Sequence, residues 1–113
     1  ALETLQADFL YPLRLPPLDG ILLANALHFV EAKQPVFDSL AGLLKPGGKL
    51  VVVEYNIRQG NHAVPYPMDE GDFLALAQTA ALSQVQIVTR APSSFLGEMY
   101  TGSAVKAEQT ADG

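Results

Sequence analysis

Leu43-Leu44-Lys45-Pro46-Gly47-Gly48-Lys49-Leu50-Val51-Val52-Val53 is the stretch on which the fold turns. Pro46 cannot continue a helix, and the paired glycines tolerate the positive backbone angles of a tight turn. Leu50-Val51-Val52-Val53 then gives a β-branched strand with no wet face, as in a sheet covered on both sides. Upstream, Val36, Phe37, Leu40, Leu43 and Leu44 share one helical face, and Pro35 fits the first turn. Further upstream, within residues 18–30, the unbroken apolar run Ile21–Ala24 reads as a second buried strand. Strand, helix, tight turn and strand make a βαβ unit, for which a right-handed crossover is expected.

Downstream, Asn56 to Pro67 has the Gly60-Asn61 pair and prolines of a loop. Asp69 is placed to cap a helix, with Glu70 and Asp72 in its first turn and Phe73, Leu74, Ala77, Ala80 and Ala81 on its buried side. Capping accounts for these three acids without a metal. Val85 to Thr89 reads as a short strand, Ala91–Ser94 as a turn, and Phe95–Lys106 as a last strand antiparallel to its predecessor. At the N-terminus, Leu2 to Leu5 suits a strand and Leu13 to Pro17 a proline-rich connector. The organisation expected is a strand and connector over 1–17, open to rearrangement or swapping, an α/β domain over 18–106, and a flexible tail over 107–113. The fold class is α/β, in the order βαβαββ.

Composition narrows the function classes. The 113 residues are 49% hydrophobic and 17% charged, a balance that supports a packed core rather than disorder. Cysteine is absent, so disulfides and thiolate metal sites are excluded, and His28 and His62 are far apart in sequence. The net charge is −5 and seven Lys and Arg are scattered, which argues against a nucleic-acid partner. No apolar run reaches the ~20 residues of a membrane span, and no secretory pattern opens the sequence. No membrane association and a cytoplasmic location are expected.

The ordered series of elements, with Leu43-Leu44-Lys45-Pro46-Gly47-Gly48-Lys49-Leu50 as its most specific piece, resembles the C-terminal half of class I S-adenosylmethionine-dependent methyltransferases. Leu18-Asp19-Gly20-Ile21 through Ala26-Leu27-His28-Phe29-Val30 is similar to the family's fourth strand and the loop after it. Gln6-Ala7-Asp8-Phe9 looks like the adenine-contacting segment after its third strand. The resemblance implies a partial Rossmann-like methyltransferase sheet with an antiparallel last strand. The family's glycine-rich loop after its first strand, and the acid ending its second, have no counterpart here. Gly47-Gly48 follows a helix and precedes a strand, the reverse of a cofactor cradle. The sequence begins about where the family's third strand would. The family's sheet order places its first strand between the third and fourth, so the Ile21–Ala24 strand is expected to have an open apolar edge. A homodimer, or a missing N-terminal half, would pair there.

The resemblance also nominates residues. Asp8 would accept a hydrogen bond from the adenine amino group, and Phe9 would pack on its ring; a solvated acid and a core aromatic are the plain alternatives. Asn25 and Ala26 lie with His28 at the carboxyl end of a parallel strand, where open α/β sheets bind ligands. Asn25 would face the transferred methyl group. His28 would act as a general base where the acceptor needs one, or would be a partly buried loop histidine. Glu54, Tyr55 and Tyr66 complete the expected substrate rim, Glu54 either binding a cationic group or standing as a solvated strand-end acid. The function expected is a truncated methyltransferase-like protein, inactive alone, that acts on a small molecule when another chain completes it. S-adenosylmethionine would bind only then, and no cofactor to the chain alone. The alternative is a non-catalytic homo-oligomeric module derived from a methyltransferase.

Overall fold

The computed structural model describes residues 2–4, 18–93 and 97–108. Five strands form one sheet: β1 (Leu2–Thr4), β2 (Leu18–Ala24), β3 (Leu44–Tyr55), β4 (Leu82–Pro92) and β5 (Glu98–Lys106), in the spatial order β1-β2-β3-β5-β4. The first three are mutually parallel, and β5 runs antiparallel to both β3 and β4. Helix α1 (Lys33–Leu43) joins β2 to β3, and α2 (Glu70–Thr79) joins β3 to β4. A 3-10 turn, Leu27–Phe29, lies between β2 and α1 and was not foreseen from the sequence.

Period-two alternation decides which strand residues enter the core. Ile21 and Leu23 of β2, Leu50 and Val52 of β3, and Tyr100 and Ala104 of β5 form one cluster with Val36, Phe37 and Leu40 of α1 and Phe73 and Ala77 of α2. The Phe73 ring lies 6.0 Å from Phe37 and 6.3 Å from Tyr100, so both helices cover the same side of the sheet. The alternate residues Leu22, Val51, Val53 and Tyr55 point to the other side and are partly exposed.

The glycine turn departs from expectation in an instructive way. Instead of separating α1 from β3, it is looped out within β3: Leu18 pairs with Leu44 and Gly20 with Lys49, and Lys45–Gly48 bulge between them. Leu44, read as helical, therefore begins the strand. Gly47 has φ +82. At Gly48 a side chain has no room, since a Cβ would sit 2.9 Å from the Lys45 carbonyl oxygen and 3.1 Å from those of Asp19 and Leu18. All three neighbours are backbone. Gly48→Ala is expected to cost about 1–3 kcal/mol through this overpacking, read as a lower urea midpoint. An unchanged midpoint would show that the bulge yields freely.

One end of each helix is closed by a side chain, locally for α2 and from a distant strand for α1. Asp69 caps α2 as its position foretold: its Oδ1 accepts from the Asp72 amide at 2.8 Å, and Asp72 Oδ2 accepts from the Asp69 amide at 3.2 Å. The C-terminal end of α1 holds no basic residue, but Lys106 Nζ from β5 donates to the Ala41 carbonyl at 2.6 Å.

Three further expectations are corrected. Ala81, expected on the buried side of α2, is exposed at φ +63, because the chain leaves the helix there in a left-handed turn before Leu82 re-enters the core. Strand β4 extends well beyond Val85–Thr89 and takes in Ala91 and Pro92, since two register shifts against β5 absorb the irregular stretches. The edge of β2 is not wholly open: Leu2–Thr4 pairs with Gly20–Leu22, in the place expected for an absent strand. Unpaired backbone groups on a strand edge are satisfied by the nearest extended segment.

Candidate functional site

The carboxyl ends of β2 and β3 lie side by side, and the site is built where the chain leaves them. β2 stops at Asn25, which takes φ +55, a left-handed conformation that asparagine tolerates better than most residues. Its amide donates to the Val53 carbonyl at 3.0 Å, so the turn is tied to β3 before the 3-10 turn begins. Asn25 is exposed, and Ala26, partly buried, precedes the 3-10 turn.

Glu54 is in phase with Leu50 and Val52 and so points under the 3-10 turn instead of out to the rim. It is 1% exposed. Its Oε2 accepts from the Leu27 and His28 amides at 3.0 and 3.2 Å, and Oε1 lies 2.7 Å from His28 Nδ1. Glu54 is therefore not a solvated strand-end acid. The carboxylate collects the orphan amides of the 3-10 turn and fixes the imidazole from behind. His28 is 3% exposed, with the Phe29 ring at 4.2 Å and the Tyr55 ring at 5.7 Å. Among the described residues, none engages His28 Nε2. In an imidazole whose Nδ1 is held by a carboxylate, Nε2 is the ring nitrogen left for another partner.

The loop of residues 56–69 borders this corner. Tyr66 donates its amide to the His28 carbonyl at 3.0 Å and leaves its side chain 40% exposed. Phe29 beside it is 61% exposed. Gly60, Asn61, His62, Pro65 and Tyr66 line a hollow of about 490 Å³. The loop's far end is held by Asn56, whose side-chain amide donates to Glu70 and Glu98 at 3.0 and 2.8 Å, and by Arg90, which grips Glu70 with two bonds at 2.6 and 2.8 Å. The Arg90 guanidinium holds the Glu70 carboxyl below the usual carboxylate range. Beneath the loop, Tyr100 donates its hydroxyl to the Met68 carbonyl at 2.7 Å, and burial pushes its phenol up.

Thus Asn25, Ala26, His28, Glu54, Tyr55 and Tyr66 do come together at one corner. Asp8 and Phe9 lie outside the described residues. The sequence reading did not single out Lys33, Phe29 or Asn56. The inward direction of Glu54 was legible in principle from its parity with Leu50 and Val52.

No family model and no curated protein sequence matches the chain. Solved structures do match. Human N-acetylserotonin methyltransferase in complex with SAM is similar at 19% identity and a TM-score of 0.63, over 91% of this chain and 33% of that one. The fold is that of class I methyltransferases. Burkholderia thailandensis 1,6-didemethyltoxoflavin-N1-methyltransferase, bound to 1,6-didemethyltoxoflavin and S-adenosylhomocysteine, is similar at 23% identity and a TM-score of 0.64, over 80% of this chain and 44% of that one. The N-methyltransferase NodS of Bradyrhizobium japonicum, bound to S-adenosylhomocysteine, gives 18% and 0.63, over 90% and 53%. The chain spans between a third and about half the length of these three proteins.

A nucleoside cradle in such a fold needs a glycine turn open to its ligand. The connection from β2 to α1 contains no glycine. Gly60 is closed by the chain itself, because a Cβ there would meet the Pro65 carbonyl oxygen at 2.5 Å. Neither of these two segments supplies such a turn among the described residues. Among them no group of three or more His, Cys, Asp or Glu is arranged to hold a metal, and no helix is long and apolar enough to cross a membrane.

Proposed function

We propose that this chain is the acceptor-binding part of an S-adenosylmethionine-dependent methyltransferase acting on a small molecule, with His28 as general base. The observation that carries the reading is the buried Glu54–His28 pair at the carboxyl end of two parallel strands. Glu54 fixes Nδ1 as the donor, and Nε2 takes the proton from an acceptor O–H or N–H, leaving a nucleophilic lone pair on that heteroatom. The cofactor, when bound, supplies an electrophilic methyl group. Its cradle comes from polypeptide other than the residues described, on another chain or on a longer form of this one.

The test is calorimetric titration of S-adenosylmethionine into the chain alone and into the chain mixed with N-terminal halves of class I methyltransferases. Binding in a mixture, followed by acceptor methylation that His28→Gln lowers about 10²–10⁴-fold, is the expected result. Failure of every mixture to bind the cofactor would end the reading.

A second reading has its own observation. Leu22, Val51, Val53 and Tyr55 form an apolar, partly exposed face that no described helix covers, while parallel sheets are ordinarily covered on both sides. A non-catalytic module that buries this face between two copies would be a stable dimer without cofactor affinity. Light scattering that shows a monomer would remove it.

A further inference from the structure

Two loops meet at the site: residues 25–32, after β2, and residues 56–69, after β3. Among the described residues, the hydrogen bonds that tie one loop and the start of α1 to the other run through a single residue. Tyr66 donates its amide to the His28 carbonyl at 3.0 Å, and its carbonyl accepts from Lys33 Nζ at 2.6 Å. Lys33, in the first turn of α1, also donates to the Val30 carbonyl at 2.6 Å, so one ammonium bridges both loops. Its Nζ lies 6.0 Å from the centre of the Tyr66 ring.

Part of the 56–69 loop is tied to itself. Asn61 knots it internally: Oδ1 accepts from the Ala63 and Val64 amides at 2.9 Å each, and the Asn61 amide donates to the Val64 carbonyl at 3.0 Å. Arg58 through Ala63 are all exposed, and Val64 is the buried foot of the knot. Lys33 is neither buried nor free. It lines a cavity of about 420 Å³ with Glu31, Gln34 and Asp72. Burial pushes its ammonium down, while the charges of Glu54, Asp72 and Glu31 draw it back up.

We infer that Lys33 is a latch: its bridge between the Val30 and Tyr66 carbonyls holds Tyr66 of the 56–69 loop against His28 of the 25–32 loop, and its release frees the two loops from each other. The inference takes from the proposed function only the identity of the site where the loops meet. Lys33 is a positioning residue and touches no acceptor itself.

Amide exchange of the chain tests the latch without any cofactor or acceptor, so its outcome is independent of whether methyl transfer occurs. In Lys33→Met and Lys33→Gln, exchange of the Tyr66 amide is expected to quicken about tenfold or more, as befits the loss of one or two charge-assisted bonds. Core amides such as those of Val52 and Ala104 should keep their protection, and Glu31→Gln, in the same cavity, should leave Tyr66 unchanged. Unchanged Tyr66 exchange in either folded Lys33 variant would overturn the latch. Loss of core protection in both would overturn it equally, since it would make Lys33 a determinant of the whole fold.

Discussion

Glu54→Leu is expected to lower the stability of the chain by about 3–5 kcal/mol, the cost of removing one partner from a buried, hydrogen-bonded pair. Leucine fills the space and does nothing for the donors. The Leu27 and His28 amides lose the oxygen that accepts them at 3.0 and 3.2 Å, and His28 Nδ1 loses its partner at 2.7 Å, all in a place that water does not reach. Glu54→Gln separates the effects. Its carbonyl can still accept from the 3-10 turn, but its NH2 cannot accept from Nδ1, so a smaller stability loss should accompany a reoriented imidazole. Chemical denaturation of both variants checks this. A Glu54→Leu protein as stable as the parent would mean that the carboxylate is not the anchor of the 3-10 turn.

Phe73→Ala carries the other large effect. The ring is fully buried between Phe37 of α1 and Tyr100 of β5, and it lies over Gly102, where a Cβ would meet it at 2.5 Å. It joins both helices to the sheet. Truncation should cost about 3–5 kcal/mol, and more if the cavity cannot collapse. The Gly102 backbone limits collapse from the sheet side, because a strand paired on both edges cannot move toward the void without breaking its ladders. Thermal unfolding measures the loss. A drop of less than about 1 kcal/mol would show that α2 slides to fill the gap.

Much of this architecture was legible because its signals are local. The runs Ile21–Ala24 and Leu50–Val53 have no polar alternation, and both are central parallel strands. Asp69 followed by Asp72 is a cap whose partners are three residues apart, and the structure forms it. The misreadings arose where a long-range partner decides. Lys45–Gly48 reads as a turn that ends one element and starts another, but the pairing of Leu18 with Leu44 carries the ladder past it. Ala91 and Pro92 read as a turn, and only the antiparallel partner β5 makes them strand.

The site divides along the same line. The carboxyl ends of the two strands put Asn25, His28, Glu54 and Tyr55 near one another in the sequence reading, and the structure has them adjacent. The side-chain directions needed the register. Glu54 looked like a rim acid because it ends an apolar run, and its partner is twenty-six residues away. Lys33 carried no signal at all, since its two acceptors are backbone carbonyls that a sequence does not display.

The state of the His28 imidazole bears most directly on the proposed chemistry, and nitrogen-15 NMR of the labelled ring reads it. The Glu54–His28 geometry predicts the tautomer whose Nδ1 carries the proton shared with Glu54, and Glu54→Gln should abolish that preference. A ring that carries its proton on Nε2 in the parent protein, or one indifferent to Glu54→Gln, would contradict His28 as a poised base and leave the pair as a structural tie alone.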